Sequence, residues 1–320
     1  MCYTRTLTRV SGINEATLPR IRVVPMAMEV AVDQESYQET KGRRRGKGLL
    51  LGPLVILLCV LVIPAIFAPY LAPHDPLEGY LAKRLKPPAW VAGGSWEHPL
   101  GTDPLGRDLL SRLIYGAQVS LSVSVVAIVV GGVIGTVLGL VAGYFGGWTD
   151  ALIMRVVDIA FSLPTILLAL VLAVIIGPSF GTVIVVVASI LWARYARQVR
   201  GEVLSVKQRD FIAQARLVGC SYFRTIFSHI LPNVANTLIV LATLQVGYVI
   251  LLEGTLSFLG VGIPPPTPAW GLMVATGRSL IVSAWWVSFF PGLAILLTVL
   301  TLNLIGDWLR DWLDPKLRQV

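Results

Sequence analysis

Residues 119–142 read VSLSVSVVAIVVGGVIGTVLGLVA, 24 positions without one charge. A helix of that length reaches about 36 Å, enough to cross a hydrocarbon core of about 30 Å. Within and just beyond the run, Ala127, Gly131, Gly135, Gly139 and Gly143 recur at four-residue steps. That spacing lines one side of a helix. Small residues there let two backbones approach closely, the main mode of helix association in lipid. The ridge therefore predicts either contact with a moving partner helix or close packing within the chain.

Similar apolar runs occupy 49–68, 151–175, 181–199, 235–256 and 285–306. The expectation is an all-α, polytopic membrane protein with six transmembrane helices. Composition agrees: 55% of the 320 residues are hydrophobic and 14% are charged, against about 25% charged in soluble domains. A secreted enzyme, a cytosolic globular protein and a disordered regulator are excluded. Cys2, Cys59 and Cys220 form no disulfide framework and no metal-binding spacing.

The net charge of +8 would suggest nucleic acid in a soluble protein. Its distribution gives another explanation. Segments 41–47, 194–224 and 310–318 carry 15 Lys and Arg, whereas 69–117 and 257–284 carry 6. Membrane proteins keep such residues on the cytoplasmic side, so both termini are expected inside a plasma or inner membrane. The expected organisation is a cytoplasmic tail at 1–48, a first span at 49–68 and an extracytoplasmic loop at 69–117. A permease body follows at 118–310, containing a cytoplasmic loop at 200–233, and a cytoplasmic tail at 311–320 ends the chain.

The stretch Gly201 to Asn233, GEVLSVKQRDFIAQARLVGCSYFRTIFSHILPN, is too polar to span and too patterned for a slack linker. Phe211, Ile212, Ala215 and Val218 make one helical stripe, which Gly219 ends as a cap. Tyr222, Phe223, Ile226 and Phe227 make a second, ended by Pro232. Two short amphipathic helices joined by a glycine predict a projecting knob that fits a groove on another protein.

This stretch resembles the characteristic cytoplasmic loop of ABC importer permeases, Glu-Ala-Ala, three residues, Gly, nine residues, then hydrophobic-x-Leu-Pro. Ala213, Gln214, Ala215, Gly219, His229, Leu231 and Pro232 occupy those places. The usual Glu is Ala213 here, the first Ala is Gln214, and His229 takes the hydrophobic position. LGTDPLGRDLLSRLIYGAQVSL at 100–121 is similar to the signature before the second span of dipeptide, oligopeptide and nickel permeases. LEGTLSFLGVGIPPPTPAWGLMVATGRS at 252–279 and NLIGDWLRDWLDPKLR at 303–318 resemble the same branch. The long loop after the first span points to the C-type subunit.

The resemblance implies a type I importer permease for peptides, or for nickel or another small solute, paired with a homologous permease chain. It implies two cytoplasmic ATPase subunits that bind ATP and Mg, and an extracytoplasmic substrate-binding protein. No cofactor and no nucleotide site are expected in this chain, which is a permease and not an enzyme. Phe211, Ala213, Gln214, Ala215, Gly219, His229, Leu231 and Pro232 would form the coupling loop. An ATP-independent secondary transporter is the rival; the near-absence of charge at the span centres speaks against it.

Other residues carry expectations of their own. Gly101-Thr-Asp103 and Gly106-Arg-Asp108 lack a Walker-type Lys. They read as a structural cap with Asp103–Arg107 or Asp108–Arg112 pairs, or as a contact for substrate or binding protein. His74 and His98, 24 residues apart with no partner pattern, read as non-ligands, so no metal site is expected. Asp150, Arg155 and Asp158 are expected to pair locally. Glu253 either pairs with Arg278, closing an outer plug over the pathway, or lies exposed at the interface. Trp270, Trp285, Trp286, Trp308 and Trp312 read as interfacial anchors in the membrane lipid.

Overall fold

A computed structural model describes residues 62–313, without the side chains of Arg216, Asp311 and Trp312. The expected tail at 1–48, most of the expected span 49–68, and residues 314–320 of the expected tail 311–320 lie outside the described residues. Helices dominate the described residues: α1 (Leu109–Phe145), α2 (Gly147–Ser162), α3 (Thr165–Ile176), α4 (Phe180–Lys207), α5 (Asp210–Leu217), α6 (Tyr222–Phe258), α7 (Trp270–Gly277) and α8 (Trp286–Leu313). Among them, α1, α4, α6 and α8 are long and apolar enough to cross a membrane.

The glycine ridge of α1 faces α4. A Cβ at Gly131 would lie 2.9 Å from the Ala188 carbonyl oxygen; at Gly135, 2.3 Å from that of Trp192. At Gly139 it would meet the Ala196 carbonyl oxygen at 2.6 Å, and at Gly143 the Val203 Cβ at 2.7 Å. The two helices thus touch backbone to backbone within one chain. Both numbers rise together along the contact, so α1 and α4 run parallel.

Parallel neighbours need a return crossing between them, and α2 with α3 supplies it. The expected straight span at 151–175 is instead a pair bent by 90°. Pro164 explains the break: it has no N–H to donate, and it pushes Leu163 into the extended region, ψ 134°. Neither piece spans alone, since 16 and 12 residues reach only about 24 and 18 Å. The pair starts at the Gly143 end, where Asp150 accepts a hydrogen bond from Arg200 at 2.6 Å. It finishes where Ala169 and Ala173 pack on Val183 and Val187. With the bent pair counted as one broken span, up to five crossings lie within the described residues.

The local pairing expected of Asp150, Arg155 and Asp158 is replaced by partners on α4. Asp158 accepts from Arg197 at 2.6 Å, and Asp150 from Arg200. α4 passes alongside and supplies both guanidinium groups. Trp270 and Trp286, 1% and 6% exposed, are core residues rather than membrane anchors. Their indole N–H groups donate to the carbonyls of Leu113 and Thr102, tying α7 and α8 to the start of α1.

Candidate functional site

At the end where α1 and α4 finish, the chain builds a foot. α4 ends at Lys207, whose ammonium donates to the Tyr144 carbonyl at 2.6 Å, and α5 starts three residues later. Ile212 is fully buried with Val199, Val203, Val206, Ile226 and Ile230, and Phe211 packs against this cluster. Ala213 and Gln214 are exposed, and Ala215 is half-buried. The inward stripe is therefore shorter than its sequence suggests, because Val218 is 84% exposed.

Gly219 stops α5 with φ +82°, a left-handed value. The Cys220 N–H then reaches back to the Ala215 carbonyl at 3.0 Å, satisfying an orphan acceptor of the last turn. Ser221 caps the next helix by accepting from the Arg224 N–H. Leu217, Tyr222, Phe223 and Phe227 lie exposed, 58–87%, around this glycine. Arg209, Asp210 and Arg224 flank them in the sequence.

Pro232 does not end the second helix as its type suggested. Thr225–Ile230 forms a π turn in which the Leu231 N–H bonds the Ile226 carbonyl, five residues back. The wider turn absorbs the donor that proline lacks, and α6 continues to Phe258. His229 is half-buried, and its carbonyl accepts from the Asn233 amide at 2.7 Å. Leu231 is half-buried and Pro232 exposed. Beside the foot, a groove of about 660 Å³ is lined by Gln198, Glu202, Ser205, Asn233 and Asn236 among others.

The opposite end is differently made. Glu253 is 1% exposed and accepts hydrogen bonds from Ser257 at 2.8 Å and Ser120 at 3.4 Å. Arg278 is exposed, with its guanidinium 5.1 Å from the centre of the Phe258 ring. The expected Glu253–Arg278 pair is absent among the described contacts, because Glu253 is buried against α1 and Arg278 stands past the end of α7. Gly254 and Gly271 mark a crossing that the sequence did not announce: a Cβ on Gly271 would sit 2.4 Å from Gly254 Cα.

The loop before α1 folds its polar atoms inward. Asp103 accepts from the backbone N–H groups of Leu105 and Arg107 and from the Arg107 guanidinium at 2.6 Å. Arg112 approaches Asp103 at 3.7 Å and donates to the Pro76 carbonyl, so it does not pair with Asp108. Asp108 instead caps α1 by accepting from the Ser111 N–H at 2.8 Å, and it lies 3.0 Å from His98 Nδ1. Gly106, at φ +75°, sits so close to Tyr80 that a Cβ would be 2.0 Å from its carbonyl oxygen. These contacts serve the structural reading of the motif. The fold also brings His74 to His98, with ring centres 4.8 Å apart.

Residues 135–319 match the model of the binding-protein-dependent transport system inner membrane component. The dipeptide transport system permease protein DppC of Escherichia coli K12 is 51% identical over 276 residues, 86% of this chain and 91% of that protein. The di/tripeptide transport system permease protein DppC of Pseudomonas aeruginosa is 46% identical over 272 residues, 85% and 89% of the two chains. DppC of Haemophilus influenzae is 41% identical over 86% of this chain and 93% of its own. A multi-pass helical bundle, a foot at one end and matches of this extent agree, and the chain belongs to the inner membrane component family of binding-protein-dependent transport systems.

Proposed function

We propose that this chain is the C-type membrane subunit of an ATP-driven importer whose cargo is dipeptides and short oligopeptides. The carrying observation is its 51% identity to a dipeptide permease along 86% of its length. The family match at 135–319 also includes the whole foot. In this reading the chain pairs with a homologous permease, a substrate-binding protein delivers cargo, and two ATPase subunits hold ATP and Mg. The chain itself has no catalytic task.

The foot end is cytoplasmic in this reading, which the 15-to-6 distribution of Lys and Arg supports. Exposed Leu217, Val218 and Phe223 dock in a groove of an ATPase subunit, the helix-in-groove mode of recognition. ATP-driven closure of the two ATPases displaces the foot, and the helices tilt between inward and outward openings. The differential free energy comes from ATP, since cargo binding equally well to both states would shift nothing. The polar groove at Gln198, Ser205 and Asn236 forms the inner part of the path, where peptide amides need hydrogen-bonding partners.

Uptake by the reconstituted complex tests this. Labelled dipeptide should enter proteoliposomes only with ATP on the foot side and binding protein on the other. Uptake driven by a proton gradient without ATP would overturn the coupling, and uptake of nickel but not peptide would overturn the cargo. Sidedness is read separately: Ser95→Cys should react with an impermeant maleimide in intact cells, and native Cys220 should not.

A further inference from the structure

We propose that His74, Glu97 and His98 form a resident site for one divalent late transition cation, with zinc the best match. One imidazole nitrogen from each histidine and one Glu97 carboxylate oxygen lie within 4.8 Å of one another. Tetrahedral zinc with bonds near 2.0–2.1 Å holds its ligand atoms about 3.3 Å apart. The remaining contraction falls on the exposed Glu97 side chain, which would turn from Lys83 toward the ion, and on the His74 side chain, 36% exposed.

His98 is the fixed member, 3% exposed. Its Nδ1 lies 3.0 Å from Asp108 Oδ1. A carboxylate only accepts, so Nδ1 carries the hydrogen and Nε2 keeps its lone pair in the neutral ring. That Nε2 is buried without a hydrogen-bond partner. A carboxylate behind one imidazole nitrogen and an unused nitrogen in front is the arrangement that orients metal-bound histidine. His74 Nδ1 is also buried without a hydrogen-bond partner, 3.9 Å from Asp108 Oδ2, and the His74 backbone N–H is held by Ser111 Oγ at 3.0 Å.

Glu97 completes the set. Its carboxylate is paired with the Lys83 ammonium. Two imidazoles and one carboxylate favour zinc or its neighbours over magnesium or calcium, and leave a fourth position for water. The ion would tie residue 74 to residues 97–98 and fasten both, through Asp108, to the first turn of α1. This is a staple for the loop and not a step in cargo passage.

The test uses the full-length chain, purified with the subunits that accompany it through a tag lacking histidine. After chelator treatment it is titrated with zinc against a chromophoric competitor, and separately with cobalt. Wild type should bind one equivalent that His74→Gln and His98→Gln each weaken about 100-fold, and Glu97→Gln about 10-fold. His229→Gln, which changes the third of the chain's three histidines, should leave binding unchanged. Cobalt should give visible absorption of tetrahedral type in wild type, absent in His74→Gln. Glu97 and His74 are accessible enough to be changed without unfolding the loop, which an unchanged melting profile verifies. Equal zinc content in wild type and the His74→Gln/Glu97→Gln double variant overturns the site.

Discussion

The two ends of the molecule handle their side chains in opposite ways. At the α1 start, Asp103, Asp108 and Arg112 are only 2–3% exposed, each held by named partners. At the foot, Leu217, Val218 and Phe223 are 78–87% exposed. A buried charge is tolerated only when paired and hydrogen-bonded, so the loop is fixed by the cost of breaking any one contact. An exposed apolar cluster outside the bilayer gains nothing until another surface covers it. The loop keeps its own shape; in the proposed reading the foot waits for a partner.

Substitutions can break this contrast, and their expected effects on stability fall in order. Asp103→Ala should be the most damaging, at about 3–5 kcal/mol, because it leaves Arg112 buried without its carboxylate. Thermal melting of the purified protein should show it. Gly135→Leu comes next. Overpacking costs about 1–3 kcal/mol in ordinary cores, and here the new side chain meets the Trp192 carbonyl at once. Val137→Leu, at a position 53% exposed, should melt as wild type. Equal melting of those two variants would show that the ridge is not a close contact.

Gly219→Val should cost about 1–2 kcal/mol through left-handed strain alone, since open space surrounds its Cβ position. Its larger effect should be functional: ATPase subunits lost on co-purification, or hydrolysis no longer stimulated by loaded binding protein. Val218→Glu sharpens the contrast most. Stability should move by less than about 0.5 kcal/mol, yet a charge in the docking surface should abolish stimulated hydrolysis. Wild-type transport by both foot variants would remove the foot from the coupling path.

Much of the bundle was legible because an uncharged run of 24 residues has few alternatives to a span. The ridge was legible as a periodicity, though only coordinates reveal that it faces α4. The bend at Pro164 was hidden because proline inside an apolar run hardly alters its hydropathy. Pro232 misled in the other direction: a π turn can carry a helix past a proline, and no residue type announces one. Trp270 and Trp286 have the composition of anchors, and only their carbonyl partners across 157 and 184 residues reveal core positions. His74 and His98 converge because a loop folds back through Asp108, and sequence spacing does not encode that path.

Backbone contact over four successive turns leaves α1 and α4 little freedom to slide or swing apart, so the pair behaves as a single beam. The foot is packed on one end of that beam through Ile212, Val203 and Val206, and the loop of buried charges is clamped to the other through Asp108. A push at the foot would then arrive at the far loop as a tilt of the whole beam, with the loop's hydrogen bonds carried along intact. Under the proposed mechanism the stiff end of the molecule would be moved without being remodelled, and the stroke would be set by the length of the lever rather than by the softness of the joint.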